Sequence, residues 1–196
     1  MLLNIVTYPD PRLREKSVAV TEFGPELKKL VADMAETMAW ANGIGLAAIQ
    51  VGVGKRLLVI DIGELNADER YIEGGEEGER RLSERKKTSK LEVFVNPIIV
   101  KGEGENDYEE GCLSVPGVYA NVTRKKKLWV RYQDLTGKIH EMETEGLKSI
   151  VIQHELDHLD GVVFPDRLGP MQRMMVLDKY KKLQTVPLKE KDKNKV

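Results

Sequence analysis

The chain has 196 residues, enough for one domain, with or without appendages, and for a core that needs no disulfide staples. Lys plus Arg number 31 against 32 for Asp plus Glu, a net charge of −1, which argues against a globally basic nucleic-acid binder and shows no sign of a specific DNA partner. One cysteine excludes an intrachain disulfide, and no run of about 18 apolar residues offers a membrane span. The opening Met1-Leu2-Leu3-Asn4-Ile5-Val6-Thr7-Tyr8-Pro9-Asp10 does not read as a signal peptide, so the expected compartment is the cytoplasm.

Residues 11–20 read as a loop or short strand. Pro25 suits the first position of a helix, and Leu27, Leu30, Val31, Met34 and Met38 recur at helical spacing. Asn42-Gly43 stops that helix. Residues 57–62 (LLVIDI) read as a short buried strand. In 64–91, 15 of 28 residues are charged, which predicts a mobile inserted loop. Residues 93–100 form a second strand, in which Pro97 requires a bulge or an edge position. Alternation over 127–133 and 138–144, around Asp134-Leu135-Thr136-Gly137, predicts a hairpin. Helices follow over 146–160 and about 170–183, the second running into a lysine-rich tail. The expected organisation is one catalytic domain over 1–183, with the 64–91 insertion, and a basic disordered tail over 184–196.

His154-Glu155-Leu156-Asp157-His158 is the strongest chemical signal. Histidines four apart on a helix project from one face and can share a metal ion. Glu155 between them can act as a general base toward a coordinated water without being a ligand. The alternative is a pair of core histidines satisfied by hydrogen bonds. Apolar stripes on two sides of the 146–160 segment predict a buried helix, and buried ionisable groups need partners. A catalytic site of this kind usually takes a third protein ligand. Cys112, between Gly111 and Pro116, is a plausible thiolate, although a lone cysteine is more often a small buried hydrophobe. The mixed ligand set suits iron(II), zinc, cobalt or nickel. The third segment, residues 43–52, is rich in small residues that permit close backbone approach, and Gln50 is a neutral amide in an otherwise apolar run.

Together, Gly43-Ile44-Gly45-Leu46-Ala47-Ala48-Ile49-Gln50, Glu110-Gly111-Cys112-Leu113-Ser114 and Gln153-His154-Glu155-Leu156-Asp157-His158-Leu159-Asp160-Gly161 resemble the three signature motifs of the peptide deformylase family, in the family's order. Tyr8-Pro9-Asp10-Pro11-Arg12-Leu13-Arg14 also resembles its N-terminal segment. The resemblance covers about residues 3–165 outside the charged insertion, which departs from the shorter connection expected in the family.

The resemblance implies an α+β fold, with antiparallel sheets around a central helix carrying the His-Glu-x-x-His motif, plus a C-terminal helix. It implies removal of the formyl group from the N-terminal methionine of nascent polypeptides. Cys112, His154 and His158 would ligate one divalent metal, usually iron(II), replaceable by zinc, nickel or cobalt. Glu155 would move the proton, while Gln50 and the Leu113 N–H would stabilise the oxyanion. Gly43, Ile44, Gly45, Gly111, Ile150 and Val151 would line the peptide site, the apolar ones with His154 forming the methionine pocket. The basic C-terminal segment offers a possible ribosome contact; no membrane partner is expected. Two other classes share parts of the pattern: a zinc endopeptidase, and a non-catalytic structural metal module with four protein ligands.

Overall fold

A computed structural model describes residues 1–63 and 90–185. Residues 64–89 of the expected insertion and 186–196 of the expected tail lie outside the described residues.

The first helix, α1 (Pro25–Trp40), begins where Pro25 supplies a preset helical φ and ends where Asn42 turns to φ 57°. Three short elements follow: β1 (Gly45–Ala47), a 3-10 turn (Ala48–Val51) and β2 (Leu57–Ile60). Beyond the undescribed segment come β3 (Glu92–Glu103), β4 (Asn106–Glu110), β5 (Ala120–Arg124), β6 (Lys127–Gln133) and β7 (Ile139–Glu145). The chain then forms α2 (Leu147–Leu159), a 3-10 turn (Phe164–Arg167) and α3 (Pro170–Thr185).

Five strands make an antiparallel sheet in the order β1-β2-β3-β6-β7, and β4 and β5 form a separate antiparallel pair. The continuous apolar run of β2 has a cause: both of its faces are covered. Leu57 and Val59 pack toward α1 with Leu27, Val31, Met34 and Met38. Leu58 and Ile60 pack on the other face with Val151, Ile152, Leu156 and Leu159 of α2. The helix bearing the two histidines is therefore held against β1, β2 and β7, and every residue from Ile150 to Leu159 is buried.

Pro97 sits mid-sheet and takes the bulge rather than an edge position. The β3–β6 register shifts between Val95 and Ile98, where Asn96 adopts φ 51°. The Asn96 side chain at this bulge holds the backbone of Val20, accepting from Val20 N and donating to Val20 O, both at 2.8 Å. The predicted hairpin forms as β6–β7 around the Asp134–Gly137 turn. Among the described residues β7 pairs only with β6, and Glu141 and Glu143 reach across to Arg131 (2.7 Å) and Lys127 (2.5 Å).

The sequence reading did not find β1, β4 or β5. Segment 11–20 contains a 3-10 turn (Pro11–Arg14) and a single bridge between Val18 and Lys55. The C-terminal helix is present as α3 and extends to Thr185.

Candidate active site

Three separate segments meet at a cavity of about 310 Å³. Gly43, Ile44, Gly45 and Gln50 form one side, Gly111, Cys112 and Leu113 the other, and Ile150, Val151, His154 and Glu155 of α2 the floor. These are all the sequence-predicted site residues except His158, which lies deeper at 1% exposure.

The α2 periodicity stacks His154 and His158, with ring centroids 5.0 Å apart and the planes nearly perpendicular. Cys112 reaches them from the turn after β4, its Sγ 3.2 Å from His158 Nε2. One donor atom from each of Cys112, His154 and His158 fits within 4.8 Å of the others. Glu110 accepts a hydrogen bond from His154 Nδ1 at 2.9 Å, so Nε2 remains for a ligand role. A soft thiolate with two imidazoles is a donor set that first-row metals favour, and among the described residues this group has three members, which leaves an ion an open position. The residues therefore fit a metal ion.

The electrostatics follow from burial. Burial disfavours the His154 cation, but the Cys112 and Glu110 partners overcome it and hold the pKa well above the usual histidine value. Burial and the neighbouring His154 charge hold His158 well below it. Glu155 is 3% exposed, and its Oε2 has no hydrogen-bond partner among the described residues. Burial pushes its carboxyl up to about 7, the range of a group that takes and returns a proton near neutrality. Two core histidines beside a solvated glutamate do not describe this arrangement.

Gln50 is fixed by its own turn: its Oε1 accepts from Ala47 N at 2.8 Å, which turns Nε2 toward Ser114 Oγ (3.2 Å) and Cys112 Sγ (3.7 Å). The Leu113 N–H has no acceptor among the described residues. Gly45 has to be a glycine here, because a Cβ would meet Val151 Cγ1 at 2.8 Å and press on the Glu155 carboxylate.

Several site residues escaped the sequence reading. Glu110 is buried and paired with Arg124 at 2.7 and 2.9 Å, and Arg124 also reaches Asp157 at 2.6 Å. Arg167 extends the chain of charges to Asp157 at 2.9 Å. Glu110 and Asp157 lie inside the motifs already singled out, but a carboxylate beside a charged run gives no sign that it is buried. Leu147, Tyr108, Tyr119, Pro116 and Val118 add to the cavity wall.

An α+β chain with a Cys-His-His donor group at a cavity beside a buried glutamate has the parts of a metal-dependent hydrolase. The family model described as polypeptide deformylase matches residues 2–174, and the chain is an enzyme belonging to that family. A peptide deformylase from Novosphingobium aromaticivorans is 48% identical over 181 residues, covering 92% of this chain and 96% of the relative. One from Chromobacterium violaceum is also 48% identical, covering 92% of this chain and 95% of its own. Among solved structures, the peptide deformylase from Ehrlichia chaffeensis aligns with a TM-score of 0.79 at 37% identity, over 96% of this chain and 100% of that one. The same organism's enzyme in complex with actinonin aligns with a TM-score of 0.78 at 36% identity, over 94% of this chain and 99% of that one.

Proposed function

We propose that this chain is a metal-dependent hydrolase that removes the N-formyl group from the N-terminal methionine of newly synthesised polypeptides and releases formate. The observation that carries the reading is Glu155, a buried carboxylate whose Oε2 has no hydrogen-bond partner among the described residues, beside the Cys112-His154-His158 donor group at a cavity floor, in a chain of the deformylase family. The α2 helix is the central scaffold of this reading, with 1–183 as one catalytic domain.

Cys112, His154 and His158 would hold the ion; iron(II) is the native metal of the proposal, with zinc, nickel or cobalt able to replace it. Such an ion, when bound, polarises a carbonyl oxygen and lowers the pKa of coordinated water. Glu155 takes the proton from the attacking water and delivers it to the departing amine. Gln50 Nε2 and the Leu113 N–H donate to the formyl oxygen as negative charge builds, and losing one such donor typically costs about 100- to 1,000-fold in rate. The backbones of Gly43, Gly45 and Gly111 let an extended peptide approach closely. Ile44, Ile150 and Val151 offer apolar wall to an unbranched thioether side chain. The formyl carbon carries only hydrogen, so the enclosed floor admits it and hinders bulkier acyl groups.

The cytoplasm is the proposed compartment. No helix among the described residues is long and apolar enough to cross a membrane. Formyl-methionyl nascent chains are the proposed partners, with a ribosome contact through the basic C-terminal segment that salt-sensitive co-sedimentation with ribosomes checks.

The decisive experiment measures formate release from formyl-Met-Ala-Ser by anaerobically purified protein, comparing the wild type with Glu155→Ala. Release by the wild type, lost in a variant that still binds metal, is the expected outcome. A folded, metal-loaded wild type that releases nothing would sink the reading.

A further inference from the structure

The C-terminal helix α3 has 16 residues, yet Tyr180 is its one buried side chain among the described residues. Tyr180 is 3% exposed and packs with Val115, Val118, Val122 and Phe164, the cluster against which Cys112 also lies. Its hydroxyl donates to Tyr8 O at 2.8 Å. The Tyr8 N–H donates in turn to Ser114 O at 2.8 Å. Ser114 is fully buried; its N–H points at Cys112 Sγ (3.4 Å) and its Oγ accepts from Gln50 Nε2 (3.2 Å). One continuous line of hydrogen bonds thus runs from a surface helix to the thiol and to the amide that faces it.

We propose that Tyr180 is a positioning residue for the deformylation reaction, acting through the Tyr8 backbone to hold the Cys112–Ser114 turn in register with His158 and Gln50. This rests on the deformylase reading of the site. The physical case concerns what else holds that turn. The turn leaves β4 at Glu110 and returns to β5 at Ala120, so regular pairing secures only its two ends. Between them, Gly111 and Gly117 flank the segment, and Gly117 takes φ 79°. The Tyr8–Ser114 bond fixes its middle from the outside, and Tyr180 fixes Tyr8. A ring contact reinforces this: the Tyr8 and Tyr180 rings meet edge to face at 6.0 Å. A phenol hydroxyl on a backbone carbonyl is a specific restraint, whereas the rest of α3 touches the body with few buried groups. Donor misplacement on the ångström scale is costly at a site of this kind.

The test compares Tyr180→Phe, which keeps the ring and removes the hydroxyl, with Val176→Ala, which trims neighbouring α3 packing and leaves the hydrogen bond. The reading that a merely structural role would not move is the rate of Cys112 alkylation by iodoacetamide in the metal-free protein, corrected for any change in Tm. Tyr180→Phe is expected to raise that rate several-fold over both the wild type and Val176→Ala. It is also expected to lower kcat by about tenfold with little change in KM, the pattern of misplaced catalytic groups rather than lost peptide contacts. An alkylation rate equal to that of the wild type, or matched by Val176→Ala, would overturn the proposal. Absence of formate release from the wild type would count against the deformylase reading alone, because the alkylation comparison needs no substrate.

Discussion

At the scale of single residues, the site depends on groups with no room to change. Gly45 is a sharp case, because any side chain there presses on the buried Glu155 carboxylate. Gly45→Ala is expected to cost about 1–3 kcal/mol of stability through overpacking, and to lower kcat/KM more than that loss of fold accounts for. Thermal denaturation beside steady-state kinetics separates the two effects. Glu110 is a second case, acting at one remove. It fixes the His154 tautomer while neutralising Arg124, and both partners are buried. Glu110→Gln leaves the Arg124 charge partly unbalanced, so about 3–5 kcal/mol of destabilisation is expected. Metal affinity should fall by about 10- to 100-fold, which titration with a competing chelator would read.

At the scale of elements, the N-terminal turn is pinned to the segment after α2 by Arg14 and Asp166. Burial raises the Asp166 pKa, but the Arg14 and Val163 hydrogen bonds outweigh it and hold the carboxyl below its usual range. A depressed folded-state pKa stabilises the fold above the unfolded pKa, and that contribution is lost as pH falls through the folded value. The protein should therefore lose this contribution on acidification below pH about 4, the ordinary range of an aspartate. Asp166→Asn should flatten that limb of the stability profile, measured by urea unfolding at stepped pH.

Elements also show what could be read beforehand. The α2 helix was legible because its pattern is local: periodic apolar residues, with histidines four apart. So was the β6–β7 hairpin, whose turn and alternation lie within 18 residues of each other on the chain. Strand β4 (NDYEE) was not, because its acidic run has no local strand pattern and pairs with β5 across the Cys112 turn. Three-residue β1 is too short to carry a period and owes its form to β2. The cavity residues in the three motifs were legible, whereas Arg124, Tyr119 and Tyr180 were not. Their roles arise from partners 14, 8 and 172 residues away on the chain.

At the scale of the whole molecule, the candidate metal group joins two stretches that the chain separates widely, and a third faces it. Cys112 comes from the turn after β4, both histidines come from α2, and Gln50 faces them from beyond β1. An ion bound only by the folded form should therefore stabilise the whole fold. At free metal 100 times its dissociation constant the gain is about 2.7 kcal/mol. Calorimetry of metal-free and reloaded protein should show a rise in Tm that Cys112→Ser largely removes.

The margin of the sheet at β7 bears on how these molecules behave in a crowd. An open strand is a template on which another chain can grow. Glu141, Glu143 and Glu145 project along it, with two of them already committed to cations on β6. Two copies approaching margin to margin would bring rows of carboxylates together, and their repulsion would oppose stacking into fibrils. The acidic border is thus expected to oppose edge-to-edge association of copies at high concentration.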